Sequence, residues 1–180
     1  MNNFDEFRVF LRALELDDYK RSIKWRRDDE IWSMVGGPKY FVSSVVEKSW
    51  VENSIKDDDI NLAICLKNNN NYIGNVYLKD IDYINKTAES HILIGEKKLW
   101  GNGYGYEAEM LILKFAFNER NLNRIYAKIL EDNVGSIKLH EKCGYKKEGV
   151  LRKAVYKKGE YKNLLIMSIL ENEFRNELSI

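Results

Sequence analysis

Three glycines at alternate positions, Gly101, Gly103 and Gly105, lead into a helical pattern in "LWGNGYGYEAEM" (99–110). Glycine loses more backbone freedom on folding than any other residue, so the cluster implies close backbone approach or unusual dihedrals. The first amides of a helix have no intrahelical partner and sit at the positive end of its dipole, which suits an anion. A phosphate-bearing ligand is the expectation. Groups for proton transfer near neutral pH are few, because the chain has two histidines, His91 and His140. His91 lies two positions from Glu89 in the strand-like run "AESHILI" (88–94), which puts both side chains on one face of a sheet.

Three readings of the glycine loop compete at this level. A P-loop needs a Lys followed by Ser or Thr after its second glycine, and nothing here supplies them. A dinucleotide fingerprint needs an early parallel unit with an acid about 20 residues on. "GNGYGYEA" instead follows a series of strands, and the next strand brings Lys128 where that acid would be sought. A turn that merely joins strand to helix stays open.

The elements that must position these residues follow from periodicity. "FRVFLRAL" (7–14) reads as an opening strand, and helices are expected over 17–33 and 43–56, separated by the turn "MVGGPKYF". In the second helix Val45, Val46, Trp50 and Ile55 are the apolar positions. "NLAICL" (61–66) and "YIGNVYL" (72–78) flank "KNNNN" as a hairpin, with 88–94 as the next strand. Ala108, Leu111, Ile112 and Phe115 recur at helical spacing up to about residue 118. "RIYAKIL" (124–130) is a strand, and Asp132 or Asn133 caps a short helix ending at Gly144. "VLRKAVY" and "YKNLLIMSIL" close the chain as a hairpin around "KKGE". The order implies a mixed α/β domain over 1–180, an antiparallel meander feeding a βαβ crossover.

Composition is that of a globular protein, 44% hydrophobic and 32% charged over 180 residues. A net charge of +1 argues against a general nucleic-acid binder. No apolar run approaches the roughly 20 residues of a membrane span, and "MNNFDEFRVF" has no signal-peptide pattern. Cys65 and Cys143 form no disulfide or metal pattern, which fits a reduced, cytoplasmic setting without a metal. Charge is unevenly spread: residues 138–162 hold nine Lys or Arg against three Glu, and residues 1–60 hold ten against thirteen Asp or Glu. Such runs are either solvated faces or a basic tract near a polyphosphate and an acidic surface for a cationic substrate.

Two stretches, "AESHILIGEKKLWGNGYGYEAEMLILKFAF" and "NRIYAKILEDNVGSIKLHEKCGYKKEG", together resemble the acetyl-CoA-binding core of the GNAT superfamily of N-acetyltransferases. The family loop Q/R-x-x-G-x-G/A is filled by Trp100, Gly101, Asn102, Gly103, Tyr104 and Gly105, with Trp100 departing from the usual first residue, whose part is mainly backbone. The second signature, N-x-x-[SA]-x-x-[LV]-Y-E-K-x-G-[FY], is matched by Asn133, Ser136, Leu139, Glu141, Lys142, Gly144 and Tyr145. "GEYKNLLIMSIL" is similar to the branch holding spermidine and ribosomal-protein N-acetyltransferases. The resemblance implies a sheet splayed between the fourth and fifth strands and flanked by helices. It further implies acetyl-CoA as co-substrate, with its pyrophosphate on the amides of residues 101–106, Tyr106 included. The pantetheine arm would lie along Ile92, Leu93 and Ile94, with Asn133 and Ser136 on the other side. A homodimer is compatible with the family's habit.

Acetyl transfer to an amine requires that the ammonium lose a proton, that the thioester carbonyl be polarised, and that the leaving thiolate gain a proton or its equivalent. Family members often use a Tyr for the last task; here that position is His140, whose imidazolium could serve, with Tyr145 as a substitute or His140 as a mere filler. Glu89 and His91 fall where different family branches carry their base, and either could pass a proton through water. A strand amide near Leu93 or Ile94 would polarise the carbonyl. "KWRRDDE" (24–30) resembles the opening of small-amine acetyltransferases and either borders the acceptor pocket or forms a helix with i,i+4 ion pairs. Trp32 and Trp50 are core or pocket wall, and covalent catalysis through Cys143 would lack a base, so direct transfer is simpler. The expected acceptor is a small amine (polyamine, aminosugar or amino-acid-like), which the acidic first third favours as a cation. A protein N-terminus is the second choice, and a non-catalytic acyl-CoA-binding module is the rival of a different class.

Overall fold

The computed structural model describes residues 4–179, with side chains up to Arg175; residues 1–3 and 180 of the expected domain lie outside the described residues. Its centre is a seven-stranded sheet in the order β1-β2-β3-β4-β5-β7-β6. The meander comes first: β1 (Val9–Ala13), β2 (Ile60–Leu66), β3 (Tyr72–Asp82) and β4 (Thr87–Ile94), each antiparallel to its neighbour. β5 (Arg124–Leu130) then lies parallel to β4, and the β6 (Lys146–Lys157) and β7 (Glu160–Leu170) hairpin completes the sheet through β7.

The β4–β5 pairing is short. It covers Thr87, Ala88 and Glu89 against Arg124, Ile125 and Tyr126, although both strands continue beyond. Past Glu89 and Tyr126 the sheet parts, as expected. α4 (Tyr104–Asn118) is the crossover between these strands and packs on one face together with α5 (Val134–Lys142). Its Ala108, Ile112, Leu113 and Ala116 are fully buried against Val76, Ala88 and Ile125. The other face is covered by α1 (Tyr19–Arg26), α2 (Asp29–Met34) and α3 (Ser44–Lys56), where Trp25 packs on Tyr72 with ring centroids 4.8 Å apart.

Three expectations need correction. The helix over 17–33 is broken at residue 28, because Asp28 takes an extended ψ of 119° and its carboxylate accepts from the amides of Glu30 and Ile31. An aspartate that caps a new helix cannot continue the old one. In α3, Val45, Val46 and Ile55 are exposed, and the buried positions are Glu47, Val51 and Ser54. An extra helix, α6 (Glu171–Ser179), follows β7 and anchors Phe174 against Phe117.

Candidate active site

The three loop glycines have different reasons to be there. Gly101 and Gly103 hold φ at +75° and +87°, where an L side chain would be strained. Gly105 lies inside α4, and a Cβ there would come within 2.6 Å of Leu139 Cδ1, so its bareness lets α5 approach. Among the described residues, the amides of Gly103, Tyr104 and Gly105 donate to no protein acceptor, and the Glu107 amide donates to the Gly103 carbonyl. Those unpartnered donors at a helix N-terminus fit the diphosphate of a coenzyme A ester.

Side chains from elsewhere hold this loop in shape. Arg8, just before β1, donates through Nη2 to the Asn102 carbonyl at 2.7 Å and through Nε to Glu107 at 2.7 Å. The Arg8 amide also donates to Glu107, so the first turn of α4 is tied to the start of β1, 99 residues away in the chain. Arg8 covers the Tyr104 ring at 4.2 Å and Lys142 the Tyr106 ring at 4.3 Å, which brings two cations to the mouth of α4. Other members of the basic tract are engaged elsewhere: Lys146 with Glu173, Lys147 with Glu141, Lys157 with the Gly37 carbonyl, and Lys162 with Asp132 and Glu160. Trp100 does more than supply backbone: its indole N–H donates to the Ile94 carbonyl at 2.6 Å, fastening the loop to the end of β4.

The hydrogen bonding of β4 decides which of its backbone groups face the split. Gly95 donates to Ile73 at 2.8 Å, and the register pairs Ile94 with Gly74, Leu93 with Asn75, and Ile92 with Val76. Antiparallel pairs alternate between bonded and non-bonded, so Leu93 bonds to β3 while Ile92 and Ile94 turn their backbone groups toward the split. With the Ile94 carbonyl held by Trp100, the Ile94 amide and both backbone groups of Ile92 remain for a ligand. A polarising amide at Leu93 is thereby ruled out by its partner on β3.

On the α1–α3 face, Glu89 and His91 do come together, with His91 Nε2 3.4 Å from Glu89 Oε1. Lys128 of β5 reaches across and donates to Glu89 Oε2 at 2.7 Å. Glu89 is buried, whereas the His91 side chain is 47% exposed. Packing around the imidazole pushes its pKa below the usual value; Glu89 pulls it up, and Lys128 and Lys79 push it further down. Lys128 is raised, chiefly by its hydrogen bond to Glu89.

His140 is 2% exposed. Its Nδ1 lies 2.8 Å from the Ser136 carbonyl, which can only accept, so Nδ1 carries a proton. Nε2 is buried and has no hydrogen-bond partner. Tyr145 stands edge-on to this ring at 4.8 Å, but its hydroxyl donates to Glu109 at 2.6 Å. With that proton committed and burial pushing the phenol well up, Tyr145 is no substitute for His140. Cys143 is likewise buried, and burial raises its thiol well above the usual value, which leaves it inert as a nucleophile. Glu109, fully buried between Tyr145 and Ser90 (2.8 Å), escaped the sequence reading because its helical position looks like any other charged one. Asn133 caps α5 by accepting at Oδ1 from the Ser136 amide (3.1 Å) and donates from Nδ2 to the Met34 carbonyl at 2.8 Å, joining the start of α5 to the end of α2.

The acidic first third does not form an open surface for a cation. Asp18 pairs with Arg12, Asp28 and Glu30 with Lys97, Glu47 with Arg26, and Asp57 and Asp59 with Lys79. "KWRRDDE" therefore makes its ion pairs outside itself, to Glu47 and Lys97, and not at i,i+4. Among the described residues, no group of three or more His, Cys, Asp or Glu side chains could hold a metal, and no helix is long and apolar enough to cross a membrane.

Comparison with known proteins agrees with this geometry. The chain is 30% identical over 164 residues to the SPbeta prophage-derived N-acetyltransferase YokL of Bacillus subtilis, covering 91% of this chain and 90% of that one. It is 32% identical over 106 residues to the spermidine N(1)-acetyltransferase of Vibrio cholerae, 59% of this chain and 61% of that protein. The crystal structure of the Vibrio cholerae spermidine N-acetyltransferase in complex with CoA and spermine superposes with a TM-score of 0.84 at 26% identity, over 94% of this chain and 99% of that one. Residues 8–146 match the family described as Acetyltransferase (GNAT) domain. With the split sheet and the glycine loop in place, the chain belongs to the GNAT acetyltransferases and is an acetyl-CoA-dependent N-acetyltransferase.

Proposed function

We propose that this chain transfers the acetyl group directly to the primary amine of a small molecule, a polyamine, an aminosugar or an amino-acid-like compound, as a single domain working in the cytoplasm. The observation that carries the reading is the split itself. It has unpartnered helix amides at one end, the open backbone of Ile92 and Ile94 along its edge, and the Glu89–His91–Lys128 group beside it.

Acetyl-CoA supplies the activated acyl thioester and a thiolate leaving group. The amides of residues 101–106 take its diphosphate, and Ile92 and Ile94 take the arm as a neighbouring strand would. Ser136 and Asn133 close the far side from the first turn of α5. His91 accepts the amine proton, because both Glu89 oxygens already face a partner and the imidazole is held below its ordinary pKa. Glu89 then orients His91 and steadies the imidazolium. His140, as the imidazolium, gives its Nε2 proton to the leaving thiolate and keeps its Nδ1 proton on the Ser136 carbonyl.

The deciding measurement is amine-dependent thiol release from acetyl-CoA across polyamines, aminosugars, amino acids and N-terminal peptides. Release with a small amine is the expected outcome. Tight acetyl-CoA binding with no release from any amine would make the chain an acyl-CoA-binding module instead.

A further inference from the structure

Arg26, the last residue of α1, is held firmly and yet has donors to offer. Its guanidinium lies 4.8 Å from the centroid of Trp32 and 5.7 Å from that of Trp50. Behind it stands Glu47, a carboxylate with no solvent exposure that accepts from Ser22 Oγ at 2.5 Å. Arg26 Nε is 3.2 Å from Glu47 Oε2, close enough for an ion pair but not aligned as a hydrogen bond. The two terminal nitrogens donate to no protein group among the described residues. Elsewhere the chain uses its forks: Arg12 grips Asp18 with both terminal nitrogens at 2.7 and 2.8 Å, and Arg8 is shared between Glu107 and Asn102. The Arg26 side chain is 28% exposed, so its open side faces outward from a fixed base.

That open side belongs to the face where the proton-transfer group lies. Trp50 meets Tyr77 edge-on at 6.0 Å, and Tyr77 is the β3 partner of His91. One aromatic layer therefore separates the guanidinium from His91. The other ion pairs on this face include Lys128 with Glu89, Lys79 with Asp57 and Asp59, Arg12 with Asp18, and Arg21 with Glu96. These carboxylates each have a cation, and the Arg26 charge is itself shared with Glu47; what stays open among the described residues is its planar, two-pronged pair of terminal donors. Such a fork matches a carboxylate or a phosphate.

Resting on the acetyl-transfer reading, we propose that Arg26 is an acceptor-specificity residue: it binds an anionic group carried by the same molecule whose amine is acetylated. The acceptor is then an amine bearing a carboxylate or a phosphate, and a polyamine is a poor fit. Glu47 and the two indoles hold the fork in place, and the aromatic layer of Trp50 and Tyr77 spans the distance between the anion and the reacting amine.

Matched pairs test this on the wild-type enzyme by thiol release: L-lysine against cadaverine, which lacks only the carboxylate, and glucosamine 6-phosphate against glucosamine, with spermidine alongside. A charge-assisted hydrogen bond of this kind is worth about tenfold or more, so the anion-bearing member of at least one pair should win by that factor in kcat/KM. Which pair responds tells carboxylate from phosphate. Arg26→Met should erase the preference mainly through KM, leaving the uncharged member and acetyl-CoA affinity unchanged, and Arg26→Lys should restore part of it. Because Arg26→Met leaves Glu47 buried without its cation, the wild-type ratio stands as the primary readout should that variant fail to fold. Turnover that favours spermidine, cadaverine or glucosamine would overturn the assignment while leaving acetyl transfer intact. A loss shared equally by all acceptors in Arg26→Met would do the same. Absence of turnover with any amine would remove the acetyl-transfer reading and this one with it.

Discussion

On the α4 side of the split sheet, the groups offered to a ligand are peptide amides; on the α1–α3 side they are side chains that titrate or carry charge. The amides of Gly103, Tyr104 and Gly105 do not depend on which side chains flank them, only on the backbone path that Gly101 and Gly103 permit. Across the sheet, Glu89, His91 and Lys128 hold one another within 2.7 to 3.4 Å, and any one of them alters the other two. A main-chain site tolerates most substitutions and fails at its glycines. A side-chain site fails at any member and can be retuned in pH.

The sharpest way to break this contrast is to remove the two histidines proposed for proton transfer singly. His91→Gln and His140→Phe should each lower kcat by about 10²-fold or more, the usual worth of a positioned acid or base. Acetyl-CoA affinity, measured by calorimetry, should stay put, since neither group contributes to the diphosphate site. An equal loss of affinity and turnover would mean that these histidines are packing residues.

Gly103→Ala is the converse experiment. Holding an L residue at φ +87° costs roughly 1–2 kcal/mol, so the loop should relax and acetyl-CoA affinity should fall about tenfold. At saturating acetyl-CoA, kcat should recover. If affinity were unchanged, the amides ahead of α4 would not be the diphosphate site.

The same division governs what could be read in the sequence. A main-chain site announces itself locally, because glycines at fixed spacing before an apolar helical repeat have few other causes. The succession of strands along the chain, α4, α5 and the parting of β4 from β5 followed from such local patterns and from the resemblance they carry, whereas the place of β7 between β5 and β6 did not. The side-chain site had no comparable signature. Arg8 and Glu107 are 99 residues apart, and Lys128 meets Glu89 across a gap of 39. The break at Asp28 was hidden because a capping aspartate among charged residues looks like one more exposed helical position. The acidic first third suggested a cationic acceptor only while its partners, Arg12, Arg26, Lys79 and Lys97, were not yet placed beside it.

The pH dependence sharpens the side-chain half. His91 must be neutral to accept a proton, so kcat/KM for the amine should rise with pH along a limb below the ordinary histidine value of about 6.5. Glu89 raises the His91 pKa and Lys128 lowers it. Glu89→Gln should therefore move the limb to lower pH, and Lys128→Met should move it to higher pH. Opposed displacements identify His91 as the group being titrated. A limb that neither variant moves belongs to something else, such as the free amine.

The smallest expected effect tests how the two halves are joined. Trp100 stands where the family loop usually has Gln or Arg, and its indole N–H closes on the Ile94 carbonyl at 2.6 Å. That bond fixes the loop relative to the strand edge proposed for the pantetheine arm. Trp100→Phe keeps most of the packing against the second core and removes the donor alone. A hydrogen bond of this kind contributes about 1 kcal/mol net, so affinity for acetyl-CoA should fall about fivefold or less. The acceptor KM and the pH limb should not move, because β4 holds Glu89 and His91 through their pairing with Lys79 and Tyr77 of β3, several residues before the Ile94 carbonyl that Trp100 holds. Movement of the limb in this variant would mean that the end of β4 shifts as a unit, and that the main-chain and side-chain halves are coupled through the strand they share.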